Sequence, residues 1–470
     1  MAVLAFADDA SGPRREISVR VEMALFAAGF LSSLGVLLFV ICRSGVWPSD
    51  FGGNSAPSFS ASAGRVFFAL VAVLSGCRGA FFIGLSFLAR REHLRQRQLG
   101  LSCSPYVSIL VPCFNEGETI GPAMESLLEL DYPSYEVLVI NDGSTDDTFW
   151  KAKQYEGKYG GVSVRVFDKP NGGKWSALNY AFQRASGELM LCVDADSRLE
   201  EGALRRMVCR LGDPKVAAVA GQVRVRNRHN LITQLQALEY QMGNGAVRMG
   251  QSLFGTVLVI AGPLGLFRRS VMEDVLAKYN FTPYGHPGRV TGPYEGDTFA
   301  EDFDLSMAIL SLGGRIVYEP DAVSLTKAPD RAFTLINQRY RWLRGSFQVL
   351  RKFIRRSRNE KGERPPRRIG AWICLTYLPD LTLMPAFYVV GLTVFLTLAA
   401  TSGTLPPALA IFAALLLVQS CIAAFFLSMH RDSLRLLKVL PLLDVYCGIL
   451  LGSAWLISVV DELRGSKMRW

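Results

Sequence analysis

The nine cysteines give no sign of a cross-linked or metal-knuckled fold. Cys42, Cys77, Cys103, Cys113, Cys192, Cys209, Cys374, Cys421 and Cys447 form no C-x-x-C pair and follow no regular spacing. A zinc site or disulfide framework is therefore disfavoured, and a reducing compartment is favoured. Several of them lie in apolar runs, where cysteine packs as a small hydrophobe. Internal repeats and low-complexity tracts are missing as well. Charge of either sign is thin, at 20% of the 470 residues. The net excess of +10 is also confined: residues 331–368 hold thirteen basic residues and two glutamates, a net +11, so the rest sums to −1. A nucleic-acid binder spreads positive charge over its domains, so no nucleic-acid partner is expected.

Apolar residues are plentiful. Half of the chain is hydrophobic and the mean hydropathy is +0.23, on the membrane side of ordinary soluble composition. Runs at 23–42, 66–89, 381–400, 408–429 and 437–460 reach the roughly 20 residues that span a bilayer. The first run lacks a small-residue cleavage site and reads as an anchor, not a removed signal. The expected plan is a cytosolic tail (1–20), two spans within 21–89, a cytosolic domain (103–330), basic interfacial helices (331–380), three spans (381–460) and a tail (461–470). Arg90, Arg91, Arg95 and Arg97 after the second span, and the basic belt before the third, put both ends of the central domain in the cytoplasm. The chain is expected to be a multi-pass protein of a bacterial inner membrane. The run 371–379 leaves room for a sixth crossing, although Pro379 and Pro385 favour an interfacial helix. Arg78, Asp380 and Asp444 fall in or near spans, where a charge either pairs with another or lines a path.

The central region alternates short β-rich runs with amphipathic stretches, the pattern of a mainly parallel α/β sheet. Strands are expected at 107–111, 136–140, 162–167, 189–193, 216–220 and 315–318, with helices at 119–129 and 174–184. Ligands of such sheets bind beyond the carboxyl ends of the strands. Three of these ends are polar or acidic: Asn115-Glu116 after the first, Asn141-Asp142-Gly143 after the second, Asp194-Ala195-Asp196 after the fourth. Turn chemistry alone explains any one of them.

Asp194 and Asp196 stand two apart, so extended backbone would point both the same way. Converging carboxylates suit a hard cation, Mg²⁺ or Mn²⁺. Asn171-Gly172-Gly173-Lys174 opens a helix, where glycines and a lysine favour a phosphate; a plain Gly-rich turn explains it equally. Glu301-Asp302 precedes a helical run, with Asp302 either a general base or a carboxylate at a helix start. Gln338, Arg341 and Trp342 fall at i, i+3 and i+4 and share a helix face that offers an amide, a guanidinium and an aromatic plane. An amphipathic interfacial helix would also carry Arg and Trp.

The ordered set VPCFNE (111–116), NDGSTDD (141–147), NGGKWSALN (171–179), DAD (194–196), AED (300–302) and QRYRW (338–342) resembles the membrane-embedded, processive members of glycosyltransferase family 2. These include cellulose, hyaluronan, chitin and poly-N-acetylglucosamine synthases. The resemblance implies a cytosolic glycosyltransferase A-type, Rossmann-like domain inserted between transmembrane helices. It implies that Asn115, Glu116 and Asp142 bind uridine, Lys174 the diphosphate region, and Asp196 the metal, Mg²⁺ or Mn²⁺. Asp302 would be the base of an inverting displacement, in a catalytic set with Glu301 and Asp194. Gln338, Arg341 and Trp342 would clamp the diphosphate and line the acceptor site. The implied partners are a UDP-sugar donor, a growing glycan acceptor, membrane lipid and a small membrane accessory subunit. GQVRVRNR (221–228), QSLFGTVLVIAG (251–262) and LFRRS (266–270) resemble the poly-N-acetylglucosamine synthases most, which points to UDP-N-acetylglucosamine. A UDP-glucose-dependent glucan synthase and a non-processive lipid-linked transferase are the alternatives. Ala300, where threonine is usual, and a long insert at 279–298 depart from the pattern.

Overall fold

The structure is a computed structural model that describes residues 59–97, 104–278, 292–359, 366–400 and 405–466. The expected tail 1–20 and the run 23–42 lie outside the described residues. Nine strands form one sheet in the order β3-β4-β2-β1-β5-β8-β7-β9-β6. They are β1 (Val107–Cys113), β2 (Tyr135–Asp142), β3 (Gly157–Tyr159), β4 (Val162–Lys169), β5 (Leu189–Cys192), β6 (Arg198–Leu199), β7 (Val216–Val225), β8 (Gly265–Arg268) and β9 (Arg315–Thr326). β4, β2, β1 and β5 run parallel, as do β7 and β9. β8 lies antiparallel between β5 and β7, and β3 and β6 close the two edges antiparallel.

The sequences dictate this layering. β1 and β2 (VSILVPC, YEVLVIND) are buried at every position, as expected of strands covered on both faces. The period of two sorts their side chains. Ile109, Val111, Val137 and Val139 enter one core, and Leu110, Leu138 and Ile140 the other. The second core continues through the helix Lys174–Arg184 to the apolar helices, so sheet and membrane-like segments share packing.

β9 runs eight residues past the expected end at Tyr318, pairing with β7 as far as Thr326, and its acids are engaged from outside the sheet. His93 lies 3.3 Å from both Glu319 and Asp321, and Arg90 is 3.1 Å from Asp321. That cluster fastens the C-terminal end of the helix Phe59–Arg97, which contains the run 66–89, to the sheet.

Among the described residues, three helices are long and apolar enough to cross a membrane: Arg367–Gly391, Phe412–Met429 and Leu434–Arg464. The first begins well before 381. Helical backbone is continuous from Arg367 to Ala400, with π turns at Ile373–Tyr377 and Pro379–Leu383 absorbing Pro379, as local rearrangement does around a helical proline. The segment 371–379 is therefore part of that helix and not a separate interfacial one. Arg78 pairs with Asp380 at 2.6 Å, and Gln419 donates to Asp444 at 3.2 Å.

Candidate active site

The loops after β1 and β2 are laced together. Asn115 takes a left-handed backbone, φ 55°, its side-chain oxygen accepts the Thr145 N–H at 2.8 Å, and its own N–H donates to Ser144 Oγ at 2.9 Å. Asparagine tolerates that conformation better than most side chains. Glu116 accepts from the Thr119 hydroxyl at 2.5 Å. Burial raises its pKa, and the carboxylates of Asp196 and Asp194 add to the rise.

Asp142 is buried and engaged by its own neighbourhood. It accepts the N–H groups of Gly172 (3.1 Å) and Gly173 (2.8 Å) and an ion pair from Lys169. Asp142 thus shapes the Asn171–Lys174 turn, in which Gly173 (φ 85°) needs the freedom of glycine. Lys174 then starts its helix and turns toward acids: 2.5 Å to Asp194 and 3.5 Å to Glu301. Burial works against its charge, but Asp194, Glu301 and Asp302 outweigh it and hold the pKa above the ordinary lysine value.

Asp194 and Asp196 do not lie on a common strand. β5 ends at Cys192, and the Ser197 N–H donates to the Asp194 carbonyl at 3.0 Å, closing a turn. Strand alternation is therefore not what relates the two carboxylates. They do share a field: burial first, then Asp194, raises the Asp196 pKa. One Asp196 oxygen accepts from Ser197 (2.9 Å) and Thr326 (3.2 Å). No basic side chain pairs with Asp196 among the described residues.

Asp302 sits in the first turn of the helix Glu301–Ser311, where the helix dipole favours its charge. Its oxygens accept the N–H groups of Phe303 (2.7 Å) and Gly262 (3.0 Å). Burial nonetheless raises its pKa, with Lys174 and the two N–H groups opposing. Burial likewise pushes Glu301 up to about 6, against Lys174 and with Asp302. Lys174, Asp194, Glu301 and Asp302 border one narrow cleft with Gly262 and Tyr294. A cation between a proton-accepting carboxylate and further acids can hold an anionic leaving group beside a nucleophilic hydroxyl.

Gln338, Arg341 and Trp342 lie on the helix Ala332–Asn359. Trp342 lines a cavity of about 330 Å³ with Arg339, Asp380, Tyr388 and Trp455. Gln338 and Arg341 are not among its lining residues. Arg339 is buried, pairs with Glu239 at 2.9 Å and lies 4.3 Å from the Trp342 ring centroid. Arg339, Gly262 and Tyr294 are not singled out by sequence alone. Gly262 ends the run 251–262 and Arg339 sits inside QRYRW, whereas Tyr294 belongs to the insert and carries no motif.

A family model described as "Glycosyltransferase like family 2" matches residues 105–345. A poly-beta-1,6-N-acetyl-D-glucosamine synthase from Staphylococcus epidermidis is 32% identical over 249 residues, 52% of this chain and 55% of the relative. One from Staphylococcus aureus (strain COL) is 33% identical over 245 residues, again 52% and 55%. The chain spans about half the length of the curated relatives it matches. Among solved structures, the mannosyltransferase PcManGT from Pyrobaculum calidifontis, in complex with GDP-Man and Mn²⁺, superposes with a TM-score of 0.52 at 22% identity, over 85% of this chain and 100% of that one. That likeness is one of fold. It agrees with the expected glycosyltransferase A-type architecture of mostly parallel strands.

Proposed function

Because the chain belongs to glycosyltransferase like family 2, we propose that it is a membrane-bound, processive, inverting β-glycosyltransferase that polymerises a UDP-activated hexose and passes the glycan outward. The observation that carries this reading is the meeting of Lys174, Asp194, Glu301 and Asp302 in one cleft, close to a helix whose Trp342 borders a cavity shared with the apolar helices. The printed names of the relatives favour N-acetylglucosamine as the sugar.

Asp302 accepts the proton of the acceptor hydroxyl as that oxygen attacks the anomeric carbon. The bond from that carbon to the diphosphate breaks on the opposite face, and UDP leaves with the electron pair. The N–H groups of Gly262 and Phe303 aim the carboxylate, and Lys174 supplies positive charge toward the leaving group. Asn115, Glu116 and Asp142 lie on the uridine side. After burial, the carboxylates of Asp196 and Asp194 raise the Glu116 pKa and Asp194 raises that of Asp196, and no basic group pairs with Asp196 among the described residues. That donor set fits a divalent Mg²⁺ or Mn²⁺ held at Asp196. Such an ion neutralises diphosphate charge when bound. Gln338 and Arg341 serve the diphosphate from the start of their helix, and Trp342 offers a sugar-stacking plane. Three apolar helices and the basic flanks support a multi-pass inner-membrane protein with a cytoplasmic catalytic domain, open to lipid and to a small accessory subunit.

The test supplies membranes containing the protein with labelled UDP-N-acetylglucosamine or UDP-glucose, each with Mg²⁺ or Mn²⁺. N-acetylglucosamine entering a high-molecular-weight product, and not doing so with Asp302→Asn, supports the proposal. Glucose entering instead makes it a glucan synthase. UDP release with label only in short lipid-linked products overturns processivity.

A further inference from the structure

The helix Ala332–Asn359 does more than carry Trp342. Three residues along one of its faces, Gly345, Gln348 and Lys352, grip the segment that leads into Asp302. A Cβ on Gly345 would lie 2.7 Å from the Ala300 Cβ, so the helix backbone touches the residue before Glu301. Gln348 accepts the Phe299 N–H at 3.1 Å. One helical turn on, the Lys352 ammonium donates to Asp304 at 2.6 Å, to Asp297 at 3.0 Å and to Glu295. Those three carboxylates are close enough together to resemble a cation site. The ammonium occupies that role, with Arg356 3.8 Å from Glu295.

Asp304 is two residues beyond Asp302 on the same short helix. Glu295 and Asp297 belong to the insert, whose inner limb is fixed at its other side too. The Asn179 amide holds both backbone groups of Tyr294, accepting its N–H at 3.0 Å and donating to its carbonyl at 2.8 Å. Gly296 has no room for a Cβ against Trp175. The limb therefore runs from the helix that bears Lys174, past the cleft where Tyr294 meets Cys192 at 2.7 Å, to Lys352.

We propose that Lys352 is a positioning residue for the acids of the cleft: by gathering Glu295, Asp297 and Asp304 it locks the insert limb and the helix Glu301–Ser311 against the helix that carries Trp342. This rests on Asp302 acting as the base. A carboxylate misplaced by about 1 Å costs on the order of 10²-fold in rate, so the lock is read in turnover and not in donor affinity.

The experiment uses the full-length protein in membranes, with Lys352→Met, Lys352→Arg and the pair Glu295→Gln/Asp297→Asn. Lys352→Met is expected to lower kcat about 10- to 100-fold, with the donor KM and UDP affinity near wild type, and Lys352→Arg to restore most of it. The acid limb of the pH–rate profile moves with charge. Asp302 is faced by Lys174, Asp194, Glu301, Tyr294 and Tyr377, which all variants retain. Removing the Lys352 cation therefore raises the limb, and removing two carboxylates lowers it. A folded Lys352→Met protein with wild-type kcat, or a limb that stays put in both variants, overturns the proposal. Hydrogen exchange across 299–305 reads the same tie without turnover: faster exchange in Lys352→Met supports it even if no UDP-sugar is used, and unchanged exchange overturns it. Wild-type protein that incorporates no sugar, with exchange still responding to Lys352→Met, sinks the proposed function and leaves the lock standing.

Discussion

Gly262→Ala should slow the protein without unfolding it. The glycine N–H holds Asp302 at 3.0 Å, while its Cα faces the lysine of the cleft. A Cβ built there lies 2.5 Å from Lys174 Nζ and 3.4 and 3.5 Å from the two Asp194 oxygens. The Asp194 contacts are ordinary van der Waals distances, so the only severe clash is with the mobile end of a lysine. Its ammonium has to retreat by about 1 Å, which forfeits its 2.5 Å contact with Asp194. A hydrogen bond to a charged group contributes about 1.5–3 kcal/mol, or roughly 10- to 100-fold at 1.4 kcal/mol per decade. Because the lysine is partly exposed, the lower half of that range applies. The assay is initial sugar incorporation beside thermal unfolding of the purified protein, with kcat reduced about tenfold or more and Tm within a few degrees of wild type. In a Lys174→Met background the alanine should cost nothing further, since its clash partner is gone. A Gly262→Ala protein with full kcat, or an alanine that costs as much in Lys174→Met as in wild type, refutes the reasoning.

Asp302→Asn keeps the shape of the site but cannot take a proton, so kcat should fall about 10²- to 10⁴-fold while UDP binding by calorimetry is unchanged; unaltered turnover rejects Asp302 as the base. Burial raises both Asp302 and Glu301, the latter to about 6, so kcat/KM should drop as pH falls through that region, above the ordinary carboxylate range. A folded-state pKa raised above the unfolded one makes these acids stabilise the fold at low pH and lose that contribution as pH rises, so Tm should hold steady where the rate is already falling. Asp196→Ala should abolish the dependence of UDP affinity on added Mn²⁺; a metal effect that persists places the ion elsewhere. Arg78→Met alone should lower Tm in detergent more than the double change Arg78→Met/Asp380→Leu, because a lone charge between helices is worse than none; equal losses mean that the 2.6 Å pair does not matter.

Legibility followed the range of the interaction. β1 and β2 are plain because strands buried on both faces must be continuous apolar runs, although each runs two residues past its expected end, to Cys113 and Asp142. β8 was not plain: Gly265–Arg268 is four residues long and owes its place to β5 and β7 on either side. The reading of β9 stopped at Tyr318 because Glu319 and Asp321 look like a loop until His93 and Arg90 arrive from more than 200 residues away. At Asp194-Ala195-Asp196 the period of two does not hold, because the backbone turns there.

The sequence by itself determined the class of the molecule and the chemical types of its site. An α/β sheet ending in acids, a Gly-Gly-Lys helix start, an acidic pair before a helix and long apolar runs are all local patterns, set by backbone sterics and the transfer of side chains from water. Only the tertiary structure decided which of those groups meet. Lys174 had to choose among many acids and found Asp194 and Glu301; the insert closed on Tyr294; Arg339, rather than Gln338 or Arg341, backed Trp342. Such pairings depend on distances of a few ångströms between residues up to about 130 positions apart, and they form only once the sheet and the apolar helices have packed around them.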